Sequence, residues 1–103
     1  MKKTCIVTGA SRGIGRAIAV SISEMEEVEN IILLARSENG LKETREMIGP
    51  NKNVEYFPID LTEYEQVRDI VHYVGTKYGT IDMLVNVAGY ANPKSILETT
   101  IEN

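Results

Sequence analysis

The sequence lacks the features that mark secreted, membrane-bound and nucleic-acid-binding proteins. It has a single cysteine, Cys5, so no internal disulfide can form, which favours a reducing compartment. The apolar run behind Lys2 and Lys3 ends at Thr8, which is too short for a signal-peptide core, and no run approaches the length of a membrane span. Because 15 acidic residues outnumber 11 lysines and arginines, nucleic acid and anionic membranes are poor partners. We therefore expect a cytoplasmic protein.

What the sequence does contain is ordinary for a globular domain. Hydrophobic residues make up 43% of its 103 positions and charged residues 25%. A chain of this size buries about 65% of its extended surface on folding, which is enough for one small core. It is not enough for a binding domain and a separate catalytic domain, so we expect residues 1–103 to form one domain or part of one.

Short apolar runs alternate with stretches of helical periodicity. Four runs are typical of buried strands: 4–8, 30–35, 54–59 and 81–85. Continuous apolar strands separated by amphipathic helices indicate a parallel sheet that is covered on both faces. Right-handed crossovers then predict an α/β fold, a Rossmann-like three-layer α/β/α arrangement with strand order 3-2-1-4, truncated after the fourth strand.

Three helices are expected between these strands. The first presents an apolar stripe at four positions: Ile14, Ile18, Ile22 and Met25. The second covers 37–48, and the third begins with a capping-box pattern at Thr62 and Glu65 and ends at Gly79. The apolar face of the third helix has six members: Tyr64, Val67, Ile70, Val71, Val74 and Tyr78. A further helix is expected to begin near Ile96.

The strongest chemical signal is the glycine-rich segment 8–15, between the first strand and the first helix. Gly9 can leave the strand through a turn closed to residues with a β-carbon, Gly13 lets the backbone approach a pyrophosphate, and Gly15 lets the helix pack near the sheet. The helix N-terminus offers unpaired N–H groups to the anion. The segment is not a Walker loop, because no Gly-Lys-Ser/Thr follows. The alternative is a tight strand-to-helix turn that binds no ligand.

Three segments of the sequence resemble the short-chain dehydrogenase/reductase family. Segment 8–15 looks like the family's cofactor loop, and segment 60–62 like its adenine-contacting segment. Segment 86–89 resembles the Asn-Asn-Ala-Gly motif, with Val87 in place of the second asparagine. The resemblance implies that Asp60 bonds the adenine amino group and the Leu61 backbone the ring edge. It also implies further cofactor contacts from the following residues: Gly9, Ser11, Arg12, Gly13, Ile14, Gly15, Asn86, Ala88 and Gly89.

The end of the second strand decides between the two nicotinamide cofactors. An acidic residue there would hold a ribose 2′-hydroxyl and repel a 2′-phosphate, but this chain has Arg36. Arg12, in the glycine loop, faces the same region, and a guanidinium offers a planar fork to a phosphate. We therefore expect NADP(H) to be preferred over NAD(H). The alternative is a pair of solvated surface arginines.

No catalytic residue is expected in this chain. In the resembled family a serine and a Tyr-x-x-x-Lys pair do the chemistry, and they lie downstream of the fourth strand, beyond Asn103. Tyr73 and Lys77 match that pattern in letters, but they lie on the third helix, where Tyr73 is expected to face solvent away from the ligand-binding ends of the strands. His72 is expected to be a surface residue without metal partners, and Cys5 an inert core thiol.

Our first hypothesis is the cofactor-binding half of an NADP(H)-dependent carbonyl reductase or alcohol dehydrogenase, inactive on its own. Its substrate would be a small carbonyl compound or secondary alcohol, and by resemblance a homo-oligomer would form through the missing half. The alternative is a non-catalytic module that binds or senses a dinucleotide. A methyltransferase-like domain is a third hypothesis, and Arg36 speaks against it because such domains normally carry an acidic residue after the second strand.

Overall fold

The computed structural model describes residues 2–87. In chain order the elements are β1 (Lys3–Thr8), α1 (Gly13–Ser23), β2 (Val28–Ala35), α2 (Glu38–Ile48), β3 (Asn53–Pro58), α3 (Tyr64–Tyr78) and β4 (Met83–Asn86). The strands pair in parallel in the order β3-β2-β1-β4, which confirms the predicted α/β fold and its strand order. The helix expected near Ile96 lies outside the described residues.

Alternate residues of β2 point to opposite faces of the sheet. Ile31 and Leu33 pack in one core with α1 and α2, whereas Ile32 and Leu34 pack in a second core with α3. All four side chains are fully buried, and each stabilises the fold by about 1.5–3 kcal/mol by leaving water. The apolar run is continuous because helices cover both faces, which confirms the three layers.

The predicted burial of Cys5 and the predicted exposure of His72 are both confirmed. Cys5 is fully buried in β1, and burial raises the pKa of its thiol to about 11, so the thiol stays protonated and inert. His72 is exposed on α3. None of the helices within residues 2–87 combines the length and the apolar character that crossing a bilayer requires.

The apolar stripe predicted for α1 is wrong at both ends. Ile14 is 72% exposed and Met25 is 38% exposed. Ile14 stands in the first turn of α1, where the helix opens on the cleft described below, and the helix ends at Ser23, before Met25 is reached. The middle of the stripe is right, because Ile22 is buried and Ile18 packs against the same core.

The predicted start of α3 is also wrong. The residue that precedes the helix is Glu63, and its side chain makes no capping hydrogen bond. The Thr62 hydroxyl, which was expected to cap the helix, instead donates to Oδ1 of Asp60 at 2.7 Å. Tyr64 is 55% exposed because it is the first helical residue, ahead of Val67, where the buried face begins.

Candidate cofactor-binding site

An open cleft of about 1020 Å³ lies outside the carboxyl ends of β1 and β2, where ligands of open α/β sheets bind. Its walls are the β1–α1 loop, the first turns of α2 and the segment after β3. Eight of the predicted site residues line it: Gly9, Ser11, Arg12, Gly13, Ile14, Gly15, Arg36 and Leu61. Asp60 and Asn86 stand beside the cleft without lining it, and Ala88 and Gly89 lie outside the described residues.

The β1–α1 loop has a backbone path that depends on its glycines. Gly9 and Gly13 adopt φ values of +66° and +58°, in the left-handed region that other residues rarely occupy. A β-carbon placed on Gly13 would meet no atom within 4 Å, so the space above this residue is open to a ligand. Gly15 lies so close to Gly9 that a β-carbon there would overlap the Gly9 carbonyl group.

Two arginines of the cleft can meet an anion. Within residues 2–87 the ion pairs are Arg16 with Glu43 and Lys77 with Glu55, so neither Arg12 nor Arg36 is committed to a carboxylate at close range. Arg12 occupies the position just before α1, and Arg36 directly follows β2. Both line the same cleft, so their positive charges add at the end of β2.

The segment after β3 places a carboxylate at the rim of the cleft. Oδ1 of Asp60 accepts hydrogen bonds from the backbone N–H and the hydroxyl of Thr62, at 2.9 and 2.7 Å. These bonds, with a smaller contribution from the nearby Arg36 charge, lower the pKa of Asp60. Both bonds end on Oδ1, so Oδ2 is the oxygen that can serve a ligand. Leu61 turns inward and is 4% exposed.

Strand β4 is joined to β1 at the floor of the site. The hydroxyl of Thr8 donates to Oδ1 of Asn86 at 2.5 Å and accepts the backbone N–H of Val87 at 3.0 Å. Thr8 is fully buried. The valine at position 87 therefore keeps a main-chain role here, because its N–H and not its side chain makes the contact.

Three residues of the site were not singled out by sequence reasoning: Arg16, Gly40 and Thr44. Arg16 and Thr44 donate hydrogen bonds to carbonyl groups of the β1–α1 loop, and Gly40 allows α2 to touch that loop. A signal was present in the small residues at positions 40 and 44, one turn apart on the face of α2 that also carries the buried Leu41. Small residues on a buried helix face indicate a close neighbour, but their spacing does not identify it.

The comparisons with known proteins agree with this geometry. The sequence model of one family, described as short chain dehydrogenase, matches residues 3–103. The chain belongs to the short-chain dehydrogenase family. An uncharacterized oxidoreductase of Staphylococcus saprophyticus is 37% identical over 102 residues, which cover 97% of this chain and 43% of that protein. The chain spans less than half the length of the curated relatives it matches.

Solved structures of short-chain dehydrogenases share the fold. A β-ketoacyl-[ACP] reductase from Bacteroides thetaiotaomicron superposes with a TM-score of 0.85 at 27% identity, over 99% of this chain and 55% of that one. A metagenomic short-chain oxidoreductase in complex with NADP gives a TM-score of 0.75 at 28% identity, over 95% of this chain and 49% of that one.

The Tyr-x-x-x-Lys match of this chain lies away from the cleft. Tyr73 is 42% exposed, in line with the prediction. Its ring also packs edge-on against the ring of Phe57, with 5.9 Å between the two ring centroids. Its hydroxyl donates to Glu55 at 2.8 Å, and Lys77 donates to Tyr73 and to Glu55, each at 3.1 Å. The pair is therefore bound to a carboxylate on the flank of β3 and does not line the cleft.

Three side chains of this cluster donate hydrogen bonds to the Glu55 carboxylate. Tyr78 also donates to Glu55, and burial together with that carboxylate raises the pKa of Tyr78 to about 12. Burial acts to raise the pKa of Glu55, but the hydrogen bonds from Tyr78, Tyr73 and Lys77 outweigh it and lower that pKa. The three donors thus stabilise one negative charge.

Proposed function

We propose that this chain forms the cofactor-binding half of an NADP(H)-dependent oxidoreductase. The observation that carries the proposal is the cleft at the end of β1, where a glycine loop, the N-terminus of α1 and two arginines meet. The first N–H groups of a helix have no partner within the helix, and they attract phosphate. The relative bound to NADP supports the choice of cofactor class.

The described residues fit a dinucleotide. The open space above Gly13 gives a pyrophosphate room to approach the backbone, and Ile14, exposed in the first turn of α1, offers an apolar contact. Arg12 and Arg36 would bind the 2′-phosphate. Asp60 and the Leu61 backbone would hold the adenine. The backbone at Asn86 would lie beside the adenosine ribose, and the family resemblance adds Ala88 and Gly89, which lie outside the described residues, to this contact.

The bound nicotinamide would donate a hydride to a small carbonyl compound or accept one from a secondary alcohol. The residues of this chain would bind and orient the cofactor, and they would not supply the proton. We infer that the serine and the Tyr-x-x-x-Lys pair of the family belong to another part of the protein, and that the 103-residue chain is inactive by itself. A cytoplasmic location and assembly into a homo-oligomer stay predictions.

The deciding experiment is a calorimetric titration of the purified chain with NADPH and with NADH. We expect NADPH to bind about 10-fold more tightly or better, because a charge-assisted hydrogen bond contributes about 1.5–3 kcal/mol. Equal or tighter binding of NADH would contradict the cofactor preference. If neither cofactor bound, the proposed binding role would be contradicted. If the 103-residue chain reduced a ketone with NADPH, the inference that it is inactive by itself would be contradicted.

A further inference from the structure

Side chains of α1 and α2 hold two carbonyl groups of the β1–α1 loop. The hydroxyl of Thr44 lies 2.7 Å from the carbonyl oxygen of Ala10, and Nη2 of Arg16 lies 2.5 Å from that of Ser11. Thr44 itself is fully buried. Two successive carbonyl groups of the loop are therefore fixed by side chains from outside it.

The hydrogen bonds form one ordered chain. Nε of Arg16 donates to the Thr44 hydroxyl at 2.9 Å. The single proton of that hydroxyl has two carbonyl acceptors within reach, Ala10 at 2.7 Å and Gly40 at 3.1 Å, and the Ala10 carbonyl is the nearer. Nη2 of Arg16 also lies within 3.1 Å of the Gly40 carbonyl and of Oε1 of Glu43. The charge of Arg16 is thus satisfied inside the protein, although the side chain borders the cleft.

Helix α2 packs against the β1–α1 loop at Gly40, with no room for a side chain. A β-carbon on Gly40 would stand 2.6 Å from the carbonyl oxygen of Ser11 and 2.7 Å from its β-carbon. Helix and loop are therefore in direct contact at Gly40, and any larger residue at this position would push α2 away from the loop.

We propose that Arg16 and Thr44 are positioning residues for the pyrophosphate of the bound dinucleotide. By tying the Ala10 carbonyl group to α2 and the Ser11 carbonyl group to α1, they hold the loop in the conformation that presents the first N–H groups of α1 to the anion. The proposal rests on the proposed function. It separates Arg16 from Arg12 and Arg36, because Arg16 is paired with Glu43 and acts through the loop backbone. Both NADPH and NADH should therefore depend on it equally.

The test compares Thr44→Val, which keeps the shape of the side chain and removes its hydroxyl, with Thr44→Ser, which keeps the hydroxyl. Dissociation constants for NADPH, NADH and adenosine 2′-monophosphate are measured by calorimetry, well below the melting temperature of each variant. Thr44→Val is expected to weaken both dinucleotides about 5- to 20-fold, with their affinity ratio unchanged. It should leave adenosine 2′-monophosphate, which has no pyrophosphate, within about 2-fold, and Thr44→Ser should stay within about 2-fold for all three.

A second pair of variants checks the arginine. Arg16→Lys keeps the charge but loses the fork that reaches Thr44 and Ser11 together, so it should also weaken both dinucleotides. Arg68→Lys, on the exposed side of α3, is its control. Wild-type affinity in Thr44→Val would overturn the positioning role and leave the proposed function standing. An equal loss for adenosine 2′-monophosphate would overturn it too, because it would indicate a general structural defect. A wild-type chain that bound neither dinucleotide would overturn both proposals.

Discussion

The carbonyl oxygen of Gly9 lies 1.9 Å from the place where a β-carbon on residue 15 would stand. Position 15 must therefore be glycine for the loop to close back on the start of α1. Gly9 directly follows β1 and Gly15 lies in the first turn of α1, so a single missing methyl group lets the backbone fold over itself.

Gly15→Ala should be the most damaging alanine substitution in the loop. The added methyl group has to displace backbone, which costs about 1–3 kcal/mol of unfolding free energy and moves the N–H groups that would meet the phosphate. Denaturant unfolding and NADPH titration measure the two effects.

Gly75→Ala supplies the matched control for that substitution. Gly75 lies inside α3, and a β-carbon there would meet nothing within 4 Å. Alanine is favoured over glycine in a helix interior, so this variant should gain about 0.5–1 kcal/mol. Similar free energies for the two variants would disprove the overlap at Gly15.

The cofactor preference should respond to the charge at position 36. Arg36→Ala is expected to weaken NADPH about 10- to 150-fold and NADH much less, because the 2′-phosphate loses a charge-assisted bond. Arg36→Asp should go further and favour NADH, since a carboxylate repels the 2′-phosphate and can hold a ribose hydroxyl. Titration of both cofactors checks this, with Arg68→Ala as the control. An unchanged NADPH affinity in Arg36→Ala would refute the assignment.

Removing the Tyr73 hydroxyl should affect stability and leave catalysis intact. Tyr73→Phe deletes the bond to Glu55 and should cost about 0.5–1.5 kcal/mol of unfolding free energy. The full-length protein carrying it should keep kcat within about 2-fold, because Tyr73 does not line the cleft. Abolished turnover with an unchanged melting temperature would show that the cluster on α3 takes part in the reaction.

Glu55 should make the fold sensitive to acid. Its pKa is lowered in the folded state, so the folded chain binds fewer protons than the unfolded chain just below the ordinary glutamate pKa. The contribution is present at neutral pH and is lost as the pH falls below about 4.5. Between neutral and acidic pH, the free energy of unfolding, measured by chemical denaturation, should therefore fall less for Glu55→Gln than for the wild type. Tyr78→Phe, which removes one of the three donors, should lie between them; a slope unchanged in Glu55→Gln would contradict this.

Sequence reasoning reached the strand order and the place of the cleft because both follow from local pattern. The run Ile31, Ile32, Leu33 and Leu34 indicates a strand buried on both faces, and the glycine spacing indicates a loop that approaches a ligand. Periodicity does not indicate where a helix meets solvent, however, so Ile14 and Tyr64 were placed in the core although each stands in a first turn.

The missed residues depend on how two helices cross. Arg16 lies on α1, whereas Gly40 and Thr44 lie on α2, and their roles exist only because the two helices meet beside the loop. Nothing in the spacing of either helix specifies that crossing. A polar residue on a helix surface also has many possible partners, so its role becomes visible only with the packing.

The position of Glu55 has a consequence for solubility. Within residues 2–87, β3 is one edge of the sheet, and an exposed strand edge invites pairing with another chain. Glu55 places a charge in the middle of that strand, where an added strand would strip water from it. Tyr73, Lys77 and Tyr78 keep the carboxylate ionised and in place. The letters that mimic a catalytic pair therefore hold a negative charge on an edge strand of the described sheet.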